Sequence, residues 1–179
     1  MIEKSDIEQI FSELQWIKDR DLSEKVVDVW KKAADQGKWK NLDDVPFTLL
    51  FENSGLLTEH TKRIIKLVKS VVEAREENLN RDFLFAGALL HDVGKLLEYE
   101  LLDDGRVVKS EFGMEMRHPV SGSKLAEECG LPPEVVHIIY AHSKEGNTIE
   151  RSLEAIIVHH CDFIDFEIKK TTKGKRGNV

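Results

Sequence analysis

The segment Phe83-Leu84-Phe85-Ala86-Gly87-Ala88-Leu89-Leu90-His91-Asp92 decides how this chain folds: eight uncharged residues lead directly into an imidazole and a carboxylate. Gly87 and Ala88 lie one helical turn before His91, so their small side chains let a neighbouring helix approach it closely. Burying a carboxylate beside an imidazole costs several kcal/mol of folding free energy unless a cation or hydrogen-bond donors compensate. The segment therefore predicts a buried helix whose end needs a partner, either a cation or an internal hydrogen bond.

Helical periodicity continues on both sides of this segment. Apolar residues recur at three- and four-residue steps, and the 4 prolines and 11 glycines leave long uninterrupted stretches between them. Thr58 and Asp82 are predicted to cap two of the helices, and a short helix could run from Asp44-Val45-Pro46 to Leu50. The main predicted helices span residues 7–17, 22–37, 58–76, 82–94, 119–130, 132–146 and 149–168.

Residues 99–110 break the helical pattern. Short apolar runs flank a turn at Asp103-Asp104-Gly105, which is typical of a β-hairpin. The fold class that follows is all-α, a single helical domain with a small β-hairpin insert near residues 99–110.

The composition excludes several classes of protein. Hydrophobic residues make up 41% of the 179 residues and charged residues 33%, as in an ordinary globular domain. Lys and Arg number 26 against 33 Asp and Glu, and the net charge of −7 argues against nucleic acid as a partner. No apolar run approaches the roughly 20 residues that span a bilayer, no signal peptide is visible, and two cysteines make no disulfide framework. We therefore expect a cytoplasmic protein with no membrane segment and no disulfide partner.

Several histidines and a second aspartate share inward-facing positions on the predicted helices. His60, His142 and Asp162 each continue an apolar stripe, and His118 precedes a helix-starting proline. Any one of them alone is more typical of a hydrogen-bonded core residue. Together, several buried imidazoles and two buried carboxylates favour a divalent cation, and mixed nitrogen and oxygen ligands favour a catalytic site. His137 lies five residues before His142, well around the helix, and is predicted to be outside this site.

These residues resemble the signature of the HD-domain superfamily of metal-dependent phosphohydrolases. The resemblance rests on His60, the stretch Leu89-Leu90-His91-Asp92-Val93-Gly94-Lys95 and Asp162, and covers about residues 55–166. It implies an HD-type helical domain in which His60, His91, Asp92 and Asp162 hold one divalent metal, with Asp92 able to bridge to a second.

The same resemblance implies a second metal held by His118 and His142. The alternative is that His118 contacts the substrate and His142 only supports the metal ligands. The expected cofactor is therefore one or two divalent transition ions per chain, chosen among Mn, Fe, Co, Ni and Zn. The chain departs from the HD-GYP branch, because residues 141–147 carry a single histidine and no Gly-Tyr-Pro.

The function that the resemblance implies is a phosphomonoesterase or phosphodiesterase acting through metal-activated water. Its substrate would be a nucleotide or another small phosphorylated molecule. Asp92 and Lys95 are the candidate catalytic residues, and Lys95, Arg117 and Lys144 are the candidate phosphate contacts. Two alternatives stay open: a catalytically idle module that binds a nucleotide, and a di-iron oxygenase.

The chain is divided by these predictions into three parts. Residues 1–54 form N-terminal helices that pack on the core, residues 55–168 form the HD-type metal-binding domain, and residues 169–179 form a flexible basic tail. His159 shares a helix face with Asp162 and is a candidate for supporting the metal ligands. His160 is expected to be structural or exposed.

Overall fold

The computed structural model describes residues 2–174, with side chains as far as Thr172. These residues form a helical domain with a two-stranded antiparallel hairpin, which confirms the all-α prediction. The helices are α1 Lys4–Ile10, α2 Arg20–Gln36, α3 Leu57–Glu73, α4 Arg81–Leu90, α5 Lys95–Glu98, α6 Glu111–Glu115, α7 His118–Glu128, α8 Pro133–Ala141 and α9 Leu153–Gly174. The hairpin strands are β1 Tyr99–Leu101 and β2 Val107–Lys109, and short 3-10 helices span Ser12–Trp16, Leu42–Asp44 and Lys144–Thr148.

Helix α4 lies at the centre of the fold. It packs against α2, α3, α8 and α9, and its residues 84–90 are all buried. The indole of Trp30 on α2 donates a hydrogen bond to the Leu89 carbonyl. Gly87 faces Ile138 of α8 so closely that an added Cβ atom would lie 2.5 Å from an Ile138 methyl carbon. The uncharged segment thus places His91 and Asp92 in the interior, surrounded by other helices.

The start and the end of α4 differ from the sequence prediction. Asn80, not Asp82, caps the helix by accepting a hydrogen bond from the Phe83 amide. Asp82 instead accepts bonds from the amides of Lys18 and Asp19, at 3.0 Å each, and so ties the N-terminal segment to α4. The helix ends at Leu90 rather than near residue 94, because the chain turns where it meets the first residues of α7. A Cβ atom at Gly94 would lie 2.2 Å from the His118 carbonyl oxygen there.

The short helix predicted from Asp44 to Leu50 is wrong. A 3-10 turn ends at Asp44, and Pro46 then pairs with Leu56 in an isolated antiparallel bridge. Val45 is extended because the ring of the following proline disfavours a helical conformation. This extended segment carries Phe47 to the interior, where its ring stacks on the imidazole of His60.

Other helix ends differ from their predicted positions. The predicted helix over 7–17 is interrupted at Phe11, where α1 gives way to the 3-10 turn. Helix α8 ends at Ala141 rather than near residue 146, and the guanidinium of Arg151 donates to the Ala141 and Ser143 carbonyls there. Helix α9 continues to Gly174, so part of the predicted tail over 169–179 is helical. Residues 175–179 of that tail lie outside the described residues.

The close approach of α4 and α8 generates a stability prediction. We expect Gly87→Ala to lower the free energy of unfolding by about 1–3 kcal/mol, because the new methyl group overlaps the Ile138 side chain. The measurement is chemical denaturation of wild type, Gly87→Ala, Ile138→Ala and the double variant. Gly87→Ala should lower the free energy of unfolding by less when residue 138 is already Ala. An equal loss in the wild-type and Ile138→Ala backgrounds would contradict a steric cause.

Candidate metal centre

Four side chains from three parts of the chain meet at one point in the interior. His60 comes from α3, His91 and Asp92 follow the end of α4, and Asp162 comes from the middle of α9. The His60 Nε2 atom lies 3.1 Å from His91 Nε2, 3.1 Å from Asp162 Oδ1 and 3.3 Å from Asp92 Oδ2. We refer to these four residues as the first group.

A second group of side chains adjoins the first group and shares Asp92 with it. The other carboxylate oxygen of Asp92, Oδ1, lies 3.2 Å from His118 Nε2 and 3.6 Å from His142 Nε2. His118 is the first residue of α7, and His142 follows the last residue of α8. Asp92 therefore presents one oxygen to each group of imidazoles, which is the geometry of a bridging carboxylate.

Each of the four imidazoles is oriented by a hydrogen bond from its Nδ1 atom to an acceptor that cannot donate. His60 donates to Asp165 at 2.7 Å and His118 donates to Glu98 at 2.7 Å. His91 and His142 donate to backbone carbonyls one turn earlier, at 2.8 and 2.6 Å. With Nδ1 protonated, the neutral ring carries its lone pair on Nε2, so four Nε2 lone pairs point at the same region.

Converging lone pairs and buried carboxylates need a positive charge. Burial disfavours the imidazolium form of His60, but hydrogen bonds with Asp162, Asp165 and Asp92 outweigh burial and raise the pKa of His60 to about 9. Burial likewise opposes ionisation of Asp92, yet Lys95 and the surrounding histidines hold the pKa of its carboxyl well below the usual range. The first group therefore favours a cation, whether a proton or a metal ion.

The donor set fits a divalent metal better than it fits hydrogen bonding alone. Within the described residues, the buried His142 Nε2 atom has no hydrogen-bond partner, and burial lowers the pKa of this imidazole, which favours its neutral form. In each group the candidate ligand atoms lie within 4.8 Å of one another. Neutral imidazoles and ionised carboxylates are the forms of these side chains that bind divalent metals.

A cavity of about 300 Å³ opens above the candidate ligands. Asp92, His118 and Asp162 line its floor, and Lys95, Lys109 and Arg117 supply cationic side chains to its walls. Its apolar wall is formed by Phe47, Leu49, Leu50, Tyr99, Phe163 and Phe166. The cavity therefore combines acidic, basic and aromatic surfaces in a volume that suits one small ligand.

Lys95 is the only one of the three cavity cations that is buried in the described structure. Its ammonium group donates to Asp92 Oδ2 at 2.6 Å and to the Phe47 carbonyl at 2.8 Å. Burial opposes the charged form, but the charges of Asp92 and Asp162, the nearby Tyr99 and the hydrogen bond to Asp92 together outweigh burial and raise the pKa of Lys95. The lysine is therefore a fixed positive charge beside the shared carboxylate.

The other predicted residues are placed as follows. Arg117 lies at the cavity wall, where its Nε is 2.9 Å from a Glu145 carboxylate oxygen. Lys144 is exposed and does not line the cavity, so its placement gives no support for a phosphate contact. The Nδ1 atom of His159 donates a hydrogen bond of 2.6 Å to the backbone carbonyl of His142, so His159 contacts the backbone of a candidate ligand. His160 is exposed.

The family assignment agrees with this geometry. A model of the HD domain family matches residues 57–167. The chain belongs to the HD-domain family. It is 29% identical over 174 residues to the dihydroneopterin 2',3'-cyclic phosphate phosphodiesterase of Methanocaldococcus jannaschii, a match that covers 90% of this chain and 70% of that protein.

Two other HD relatives are ribonucleases. Ribonuclease Y of Acidothermus cellulolyticus is 33% identical over 93 residues, which cover 52% of this chain and 16% of that protein. The 3'-5' exoribonuclease YhaM of Listeria innocua is 28% identical over 132 residues, which cover 65% of this chain and 40% of that protein. The chain thus spans less than half the length of either ribonuclease. No solved structure matches the chain.

Membership of the HD family and similarity to a phosphodiesterase confirm the predicted class: the chain is a metal-dependent phosphohydrolase. This result favours hydrolysis over the idle nucleotide-binding module and the oxygenase. HD domains bind divalent metals, and the described residues include side chains that can hold one. The phosphodiesterase relative is named for a small cyclic phosphate, and the two ribonuclease relatives are named for RNA. Across residues 2–174, no helix is both long enough and apolar enough to cross a membrane.

Two carboxylates that orient candidate ligands were not predicted from the sequence. Asp165 accepts from His60 and also binds the guanidinium of Arg63 through two hydrogen bonds of 2.7 and 2.9 Å. Glu98 accepts from both the ring and the backbone amide of His118. Helical spacing offered a signal, because Asp165 lies three residues after Asp162 and Glu98 lies three residues after Lys95.

Metal content distinguishes the two groups of side chains. We expect the wild type to bind about two transition ions per chain, as in two-metal sites, and His142→Ala to retain about one. Asp92→Asn should lose both, because it removes the carboxylate that the groups share. Elemental analysis and titration with Mn²⁺ or Co²⁺ provide the measurement. His137→Ala is the matched control on the same helix, and an equal loss in that variant would contradict the assignment.

The hydrogen bond from His118 to Glu98 generates a separate prediction. Glu98→Gln should weaken binding at the second group by about 10–100-fold, because the amide is a poorer acceptor and no longer fixes the ring. Titration with Co²⁺, followed by its absorption spectrum, reports this affinity directly. Glu100→Gln, at an exposed position two residues later, is the control that should bind as the wild type does. Unchanged affinity in Glu98→Gln would show that the bond does not orient the ligand.

Proposed function

We propose that this HD-domain protein hydrolyses a cyclic phosphodiester of a small, nucleotide-like molecule, with 2',3'-cyclic phosphates as its substrate class. The observation that supports this most strongly is the placement of Asp92, which faces two sets of imidazoles at the floor of a small cavity. The relative that aligns with 90% of the chain is named for the hydrolysis of such a cyclic phosphate.

The size of the cavity favours a small molecule over RNA. A volume of about 300 Å³ lies at the lower end of ligand pockets and suits one mononucleotide-sized substrate. The net charge of −7 also provides no overall attraction for a long polyanion. The ribonuclease relatives extend well beyond the part that this chain matches, and RNA is the competing substrate.

The proposed cofactor is two divalent transition ions. His60, His91, Asp92 and Asp162 would hold the first, and Asp92, His118 and His142 would hold the second. When bound, such ions supply Lewis-acid activation of water and of the phosphoryl oxygens. Mn, Fe, Co, Ni and Zn all accept this mixture of imidazole and carboxylate ligands.

The protein's own residues supply orientation and charge. Asp92 holds the two groups at a fixed separation because its two oxygens belong to one rigid carboxylate. Lys95 uses two of its three N–H bonds on Asp92 and the Phe47 carbonyl, which leaves one for a phosphate oxygen. Its charge stabilises the negative charge that increases on the phosphoryl oxygens during the reaction.

The walls of the cavity would position the two ends of the substrate. Arg117, held by Glu145, and Lys109 offer donors to the phosphate or to sugar hydroxyls. Phe163 and Phe166 of α9 line the apolar wall of the cavity together with Leu50, and their rings would accept a planar base. An apolar wall also excludes water from the part of the site that holds the organic group.

Hydrolysis assays on the metal-loaded protein test this proposal. We expect 2',3'-cyclic mononucleotides to be opened to monophosphates, with kcat/KM higher than for a linear RNA oligomer of the same base. Lys95→Met should lower kcat/KM by about 10²–10³-fold, because it removes a charged donor beside the phosphate while nearly preserving side-chain volume. Lys124→Met, at an exposed position on α7, is the matched control.

Three outcomes would contradict parts of the proposal. Faster cleavage of the RNA oligomer than of the cyclic mononucleotides would show that the substrate is RNA and not a small molecule. Release of phosphate from monoesters, with no action on cyclic diesters, would make the protein a phosphomonoesterase. Wild-type activity in Lys95→Met, with metal content unchanged, would remove the lysine from the catalytic residues.

A further inference from the structure

Tyr99 brings a phenol group to the wall of the catalytic cavity. It is the first residue of β1, four residues after Lys95, and it is only 6% exposed. The hairpin pairs it with Lys109 of β2, and both residues line the cavity together with Lys95 and Asp92. The hairpin therefore adds a buried hydroxyl group to a wall that is otherwise mostly apolar.

The phenol of Tyr99 lies near the charges of the metal centre. Burial raises its pKa, as do the charges of Asp92 and Glu98, and the opposing effects of Lys95 and Thr48 are smaller. The influence is mutual, because Tyr99 also raises the pKa of Lys95. Since Lys95 Nζ is 2.6 Å from Asp92 Oδ2, the phenol lies at the end of the cavity where a phosphoryl group would bind. It keeps its proton at neutral pH.

Thr48 leaves the phenol proton available to a ligand. Thr48 is buried and lines the same cavity, and its Oγ1 atom accepts a hydrogen bond from the Leu50 amide at 3.3 Å. Its own proton is then available to the phenol oxygen, in agreement with its lowering effect on the pKa of Tyr99. A hydroxyl oxygen that accepts from one neighbour can donate its proton to another acceptor. The cavity offers the space for that acceptor.

The other strong proton donors among the described residues that line the cavity are committed. Arg117 cannot be deprotonated in a protein. The Nδ1 proton of His118 is held by a carboxylate at 2.7 Å, and the raised pKa of Lys95 keeps it charged. The side chain of Lys109 is 41% exposed and lies 3.5 Å from a carboxylate oxygen. Tyr99 is therefore the buried, neutral group that can give a proton to a bound ligand.

We propose that Tyr99 is a catalytic residue that gives its phenol proton to the ester oxygen leaving phosphorus. The inference rests on the proposed hydrolysis of a phosphodiester. As the oxygen of a water molecule bonds to phosphorus, the bond from phosphorus to the ester oxygen breaks, and the electron pair stays on that oxygen and takes the proton. The attacking water gives one proton to the solvent and the phenolate recovers one, so each ester bond consumes one water molecule. Lys95 stays charged and contacts a different phosphoryl oxygen.

The importance of this proton depends on the leaving group. A sugar alkoxide is a strong base, so it leaves slowly unless a proton reaches it as the bond breaks. A p-nitrophenolate is stable without a proton and needs no such donor. This difference separates proton donation by Tyr99 from a structural role and from simple binding of the phosphate.

Kinetics of the metal-loaded Tyr99→Phe variant tests the proposal, because the variant keeps the ring and removes the hydroxyl. We expect kcat/KM to fall at least about 100-fold with a 2',3'-cyclic mononucleotide and less than about 3-fold with a p-nitrophenyl diester of the same nucleoside. Tyr140→Phe changes the other tyrosine of the chain, which does not line the cavity, and is the matched control. Circular dichroism and metal content check that each variant is folded and loaded.

Two results would overturn the proposal. An equal loss with both esters would make Tyr99 a phosphate contact or a structural residue, and unchanged cleavage of the cyclic substrate would remove it from catalysis. A wild type that does not open cyclic phosphates would instead contradict the proposed substrate class. The same comparison with alkyl and p-nitrophenyl monoesters would then test Tyr99, because the proposal concerns the leaving oxygen.

Graded acidity of the phenol provides a second test. Since the chain contains two tyrosines, fluorinated tyrosine incorporated into the Tyr140→Phe variant replaces Tyr99 alone. At a pH where every phenol is protonated, kcat/KM for the cyclic substrate should rise as fluorination makes the phenol more acidic, because proton transfer becomes easier. A rate that does not depend on the acidity of the phenol would contradict proton donation by Tyr99.

Discussion

Four imidazoles whose Nδ1 atoms are already hydrogen-bonded turn their Nε2 lone pairs towards the carboxylate of Asp92, and the rest of the structure depends on this constraint. Lone pairs and buried carboxylates repel one another unless a positive charge lies among them. The acceptors that orient the rings come from α4, α5, α8 and α9, so the helices must be in place before the lone pairs converge. A bound divalent ion would in turn hold those helices together, which links metal affinity to folding stability.

The close packing of α4 makes this convergence possible. Glycine at position 87 allows α8 to approach α4, and glycine at position 94 lets the chain turn against the start of α7. His142 and His118 lie on those two neighbours, so each close approach brings one imidazole to Asp92. Larger side chains at either glycine would move a ligand away from the shared carboxylate, although neither glycine offers a ligand atom itself.

The two faces of α9 have different chemistry within one helix. Its inner face carries a candidate ligand, Asp162, and the carboxylate of Asp165, which orients His60. Its outer face exposes several large apolar side chains beside His160 and Glu167, and one of them, Phe163, also lines the cavity. The same rigid element therefore connects the metal centre and the apolar wall of the cavity, because residues on a helix keep fixed angular positions.

The sequence by itself determined the all-α class, the hairpin and the identity of the candidate ligands, because helical spacing and the His-Asp pair are local patterns. It misplaced the cap of α4 and the segment before Leu50, since Asn80 and Asp82 are equally good caps in isolation and only tertiary contacts assign Asp82 to another segment. Tertiary structure alone decided that Asp165 orients His60, because these residues are 105 positions apart. It also decided that Asp92 faces two groups of imidazoles, since the direction of each carboxylate oxygen depends on how five separate parts of the chain pack around it.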